Sequence, residues 1–149
     1  MKVLKKILIV PVLLLAISLS ACADADRKKL AQASQDFASG VTVTLSVDQA
    51  LIDQGLIERD DAAALTGAIL DVSNAGAEFN RTAQTVSLSG AGKTLVLGKL
   101  TALADAAGRL EAAGTLHIKN SQARLQFQAG VAVIKVAIGV AQSVLGASK

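Results

Sequence analysis

Downstream of Pro11 the chain contains no proline, and its apolar residues recur at spacings of three and four for more than a hundred positions. Proline is the residue that most reliably interrupts a helix, so nothing in the backbone chemistry limits helix length here. From residue 22 onward, 26 of 128 residues are alanine, the strongest helix former and small enough to let helix faces approach closely. These features predict long helices packed on one another.

The spacing resolves into four runs. In the first, Leu30, Phe37, Val41, Leu45 and Ile52 fall near one face, and Gly55 followed by Leu56 provides a Schellman-type stop. The second opens at Asp60 and Asp61, whose charge suits the positive end of a helix, and continues through Leu65, Ile69, Val72 and Phe79 to about Thr85. The third passes through Val96, Leu100, Leu103, Ala107 and Leu110 and stops at Gly114, and the fourth runs from an Asn120 N-cap to about Leu145. Four such helices with short links predict an all-α fold, an antiparallel four-helix bundle, as one domain over residues 30–149.

One stretch opposes this reading. Residues 40–47, GVTVTLSV, alternate apolar and hydroxyl side chains as a half-buried strand does, and 85–88 and 116–118 offer strand partners. The alternative is therefore an α+β fold with a small sheet that includes residues 41–47.

The N-terminus carries a different kind of information. Lys2, Lys5 and Lys6 precede an uncharged apolar run from Ile7 to Leu19, the layout of an export signal over residues 1–21. Thirteen residues interrupted by Pro11 fall short of the roughly 20 that span a bilayer comfortably. Leu19-Ser20-Ala21-Cys22 follows, and it resembles the lipobox of bacterial lipoproteins, with Cys22 the chain's only cysteine. The resemblance implies cleavage before Cys22, a diacylglycerol on its sulfur and usually an acyl group on the new amino terminus. Two or three acyl chains hold a protein on a bilayer where one does not. Residues 22–29, CADADRKK, then read as the lipidated cysteine and a polar tether. Cleavage after Ala23 is the competing possibility, because Ala21-Cys22-Ala23 also fits a small-x-small site. Ala23, rather than aspartate, after the cysteine resembles the pattern of lipoproteins sorted outward, so the periplasmic face of an outer membrane is expected in a two-membrane bacterium.

Removal of residues 1–21 takes three basic residues with it and leaves 12 basic against 12 acidic. A neutral domain without Trp or Tyr, and with only Phe37, Phe79 and Phe127, has neither the field nor the stacking surfaces that nucleic acid binding requires. The charges are segregated: residues 24–71 hold 9 acidic and 4 basic side chains, residues 72–149 hold 3 and 8. Side-by-side packing of the two halves would neutralise them; the other reading is an oppositely charged partner for each.

Residues 87–94, SLSGAGKT, imitate a nucleotide-binding loop, but Ser87 stands where its first glycine belongs, and TAQTV before it is no buried strand. The glycines read instead as a turn, with Lys93 in solvent and no nucleotide bound. His117, the only histidine, is expected as a solvated turn residue, and Asp60 and Asp61 as first-turn charges. The expectation is no catalytic, cofactor or metal site.

In the fourth run Ser121, Gln128, Lys135, Gln142 and Lys149 recur every seven residues, joined by Arg124, while nearly everything from 129 to 145 is small or aliphatic. This predicts a helix buried on most of its circumference at the bundle centre, with Gly139 packed; an oligomer seam or a lipid contact is the other option.

The functional expectation is an exported, membrane-anchored envelope protein with a structural or protein-interaction role and no catalysis, held through lipidated Cys22. Its partner would be another envelope protein or a second copy. The alternatives are a carrier or binder of an apolar ligand or lipid between the helices, or a membrane-active or exclusion factor.

Overall fold

The computed structural model describes residues 25–146, and the expected export signal over residues 1–21 and Cys22 lie outside the described residues. Four helices follow one another: α1 (Ala25–Asp53), α2 (Arg59–Thr85), α3 (Gly90–His117) and α4 (Ser121–Val144). They form an antiparallel ring in which each helix packs against its two neighbours, most extensively α1 on α4 and α2 on α3, with no backbone approach across the diagonals. No strand occurs among the described residues.

Residues 40–47 therefore lie inside α1, and the α+β alternative is corrected. The buried positions of this helix are Leu30, Ala33, Gly40, Val41, Thr44, Val47, Asp48 and Leu51, a spacing of three and four that only a helix brings to one face. The hydroxyls that suggested a strand are satisfied locally: Thr42 donates to Ala38 O at 2.9 Å, Thr44 to Val41 O at 2.8 Å and Ser46 to Thr42 O at 2.9 Å. Weak strand propensity yields to a buried face two helical turns long. Ile52, assigned to the core by spacing, is exposed, whereas Thr44 and Asp48 are buried.

α1 also begins earlier than Leu30, taking in Ala25 to Lys29, which the sequence assigned to the tether. Alanine, arginine and lysine favour a helix, and Asp26 in the first turn suits the helix dipole. These five residues remain exposed, outside the core.

The helix ends follow their local chemistry. Gly55 has φ +65°, its N–H donates to Ile52 O at 3.1 Å, and Leu56 N–H reaches Leu51 O at 2.9 Å, the Schellman pattern. At α4 the Asn120 side chain accepts from Ala123 N–H at 2.9 Å. α3 runs past Gly114 to His117, because Gly114 serves as a notch for the Phe127 ring instead of a stop.

The two most closely packed helices meet at glycines. A β-carbon on Gly40 would lie 2.8 Å from Gly130 O and 3.0 Å from Ile134 N, and one on Gly130 would lie 2.9 Å from Thr44 Cγ2. The backbones of α1 and α4 thus approach at a distance that side chains forbid, and Ile134, Val131 and Phe127 seal the core around them. On the opposite side Phe37 of α1 fills a notch over Gly76 of α2.

α4 is not the bundle centre. It packs on α1 and α3 alone and buries Phe127, Gly130, Val131, Ile134, Ala137, Ile138 and Ala141 on one face. A ring of four helices leaves each an outward side, and Val133, Val136, Val140 and Leu125 lie there, exposed. Gly139 also faces outward, and a β-carbon added to it would meet nothing within 4 Å.

Candidate functional site

The antiparallel order puts the start of α1, the α2–α3 turn and the end of α4 at one end of the bundle. Ser34 near the start of α1 donates to Asn80 near the end of α2 at 3.3 Å, and a β-carbon on Gly146 would lie 3.6 Å from Lys93 Nζ. The chain from Cys22 enters at this end. Cys22 lies outside the described residues and precedes the first residue of α1 by three positions in the sequence.

SLSGAGKT occupies the same end, and its glycines have a structural reason. Gly90 has φ +53°, and a side chain on Gly92 would collide with the Ser87 carbonyl. The Ser87 and Ser89 hydroxyls bond one another at 2.8 Å across the turn. Lys93 falls in the first turn of α3 and is partly buried.

At the far end, where α1 meets α2 and α3 meets α4, the histidine and the aspartate come together. His117 Nδ1 lies 2.7 Å from Asp61 Oδ1, and both side chains are three-quarters or more buried. His117 is thus a paired residue in the last turn of α3, not a solvated one. Lys119 Nζ joins it, 3.1 Å from Glu58 Oε1 and 3.7 Å from Asp61 Oδ2. The hydrogen bond from His117, followed by the charges of His117 and Lys119, holds the Asp61 carboxyl below the usual aspartate range, and the bond to Glu58 raises the Lys119 ammonium. Asp61 and Asp60 sit in the first turn of α2 as expected, but Asp61 spends its oxygens on α3 and the following loop. These pairs clasp α2 to α3 and bring acidic first-half residues against basic second-half ones. Among the described residues no group of three or more His, Cys, Asp or Glu is arranged to hold a metal ion.

A second polar feature, which the sequence pattern did not single out, lies between α1 and α2. Asp48 is 3% exposed; Thr66 donates to its Oδ2 at 2.7 Å, and its Oδ1 has no partner. Burial pushes the Asp48 carboxyl up against the opposing effect of Thr66. Its signal was positional: residue 48 follows Val41 by seven and Thr44 by four, on the core face.

The remaining feature is the outward side of α4. It divides lengthwise into a polar edge with Gln128, Lys135 and Gln142, where Lys135 reaches Glu111 of α3 at 3.1 Å, and an uncharged strip including Leu125, Val133, Val136 and Val140. By length and composition alone this helix is apolar enough to cross a membrane, yet its inner face is core to the bundle. Four of the ten large apolar side chains exposed among the described residues lie on it. Comparison with protein-family models, curated proteins and solved structures finds no match to this chain.

Proposed function

We propose that this protein is a lipid-anchored component of a bacterial cell envelope, exported and acylated at Cys22, with a structural or protein-interaction role and no catalysis. The observation that carries this reading is Leu-Ser-Ala-Cys directly after an apolar export run, three residues before the helix that opens the bundle. Glycine notches filled by Phe37, Phe127 and Ile134 favour a closed interior over a ligand-carrying one. The uncharged strip on α4 supplies a surface for a partner. With Ala23 after the cysteine, an outer-membrane anchor facing the periplasm is the proposed location in a two-membrane bacterium.

Fractionation of cells tests the reading. The full-length protein should sediment with membranes and resist salt extraction, and Cys22→Ala should move it to the soluble fraction or leave its signal uncleaved. Equal membrane retention of a processed Cys22→Ala protein would refute the anchor.

A further inference from the structure

Charge is segregated along the length of the bundle as well as between the halves of the sequence. The end that the chain enters comprises residues 25–34, 76–99 and 137–146, which hold 6 basic and 2 acidic side chains. The opposite end, residues 44–68 and 108–130, holds 4 basic and 6 acidic ones apart from His117. At the basic end Glu78 is already committed, to Arg81 at 2.7 Å and to Lys99 at 3.3 Å. Arg27, Lys28, Lys29 and Lys93 make no ion pair among the described residues, and Asp26 is the one acidic side chain left beside them.

The arrangement of these cations selects the occupant. Successive helical residues project about 100° apart and rise about 1.5 Å each, so Arg27, Lys28 and Lys29 encircle α1 at nearly one level instead of lining one side. All three are exposed. Lys93 lies in the first turn of α3 at the same end, its Nζ 3.6 Å from where a β-carbon on Gly146 would stand, so the positive level extends across the tip of the bundle. A nucleic acid or a partner helix laid along the molecule would call for cations at every third or fourth residue of one face. Cations ringed around a tip meet a flat surface end-on.

Acylation of Cys22, three positions before α1, would put such a surface at this end; the choice of a membrane rests on the lipid-anchor reading. We infer that the tip formed by the start of α1 and the α2–α3 turn rests on anionic phospholipid headgroups, with Arg27, Lys28, Lys29 and Lys93 against the phosphates. The helices then stand up from the bilayer, and the acidic end is held off it by the length of the bundle, about 40 Å for the 27 residues of α2. Acyl chains keep the protein on the membrane, and the cations fix its attitude and its preference among lipids. Each Lys or Arg near an anionic surface is worth about 1 kcal/mol, or about fivefold in partitioning, so three net charges favour anionic over neutral vesicles by on the order of 100-fold at low salt.

Every side chain of the hydrophobic core lies within residues 30–145, so a chain beginning at Asp24 keeps the bundle and carries no acyl group. Cosedimentation of this chain with phosphatidylcholine vesicles, with and without phosphatidylglycerol, tests the proposal. The anionic vesicles should bind it at least about tenfold more tightly, and high salt should remove the difference. Lys28→Glu with Lys29→Glu should weaken that binding by at least about tenfold. Arg59→Glu with Arg109→Glu, the same charge change at exposed positions of the opposite end, should weaken it by less than about threefold, with the helical circular dichroism of both variants unchanged. In the full-length acylated protein a fluorophore on Ala91→Cys should be quenched by a headgroup-borne quencher, and one on Gln54→Cys at the far end should not. No preference for anionic vesicles, equal losses from the two double variants, equal quenching at 54 and 91, or binding of a duplex oligonucleotide as tight as that of the anionic vesicles would overturn the proposal. The vesicle comparison needs no acyl group, so its outcome is separate from the mass of the Cys22 peptide, which reports on the anchor.

Discussion

The crossing of α1 and α4 can be tested with one methyl group. In a helix interior Gly→Ala gains about 1 kcal/mol from propensity alone, which would stabilise the protein if nothing stood in the way. At Gly40 the added carbon would lie 2.7 Å from Ile134 Cγ1, 2.8 Å from Gly130 O and 3.0 Å from Ile134 N. A side chain could rotate aside, but two of these three atoms are backbone, so α4 must move out by about half an ångström, enough to forfeit a quarter or more of each affected contact. Overpacking of this kind costs about 1–3 kcal/mol. Set against the propensity gain, this leaves Gly40→Ala with a net loss of up to about 2 kcal/mol, or up to about 8 °C in Tm for a domain of this size. Gly108→Ala, on the exposed side of α3 with nothing within 4 Å of the new carbon, is the control and should gain about 0.5–1 kcal/mol. Urea and thermal unfolding followed at 222 nm, on a soluble chain beginning at Asp24, reads both. Equal stabilisation by the two substitutions would show that α1 and α4 do not meet at Gly40.

Further outcomes follow from the buried and paired groups. Because the folded Asp48 carboxyl is raised above its unfolded value near 3.8, its protonated form is favoured in the fold, and stability should fall as pH rises from about 4 through the folded value. Asp48→Asn should remove that decline and gain about 1 kcal/mol at pH 7, measured by urea unfolding from pH 4 to 8, because a neutral amide is cheaper to bury than a charged carboxylate with one oxygen unpaired. Asp61 has the opposite sign: its folded pKa is lowered, so its contribution is present above about 3.8 and lost as pH falls through the depressed value, and Asp61→Asn should flatten that acid limb. Ile138→Asp places an unpaired carboxylate in the core and should cost more than about 4 kcal/mol, leaving no cooperative transition, whereas Gly139→Leu on the same helix should stay folded.

The bundle was legible because its helices are long and its stops chemically distinct: Gly55, Asn120 and the Ser89–Gly90 turn all lie where the sequence placed a break. Register was legible too, had symmetry about the turns been used. Asp61 and His117 each lie 28 residues from Ser89, and Asp48 and Thr66 each lie 9 from Ile57, so antiparallel hairpins must bring both pairs together. The strand signal at 40–47 misled because alternation and helical spacing share Val41 and Val47, and only the neighbouring α4 decides between them. The burial of α4 was overstated for a related reason. Hydrophobicity around a helix reports how much surface wants cover, not how many neighbours the fold supplies, and here the ring supplies two. Asp48 was missed although its spacing from Val41 and Thr44 marks the core face, because an aspartate ordinarily stays in solvent and its residue type outweighed its position.

Acylation of Cys22 is the claim on which the proposed function depends most, and intact mass spectrometry of the protein extracted from membranes measures it directly. The expected species is a chain that begins at Cys22 and carries the added mass of a diacylglycerol, with or without a further acyl group on the amino terminus. An unmodified chain beginning at Asp24 would contradict it.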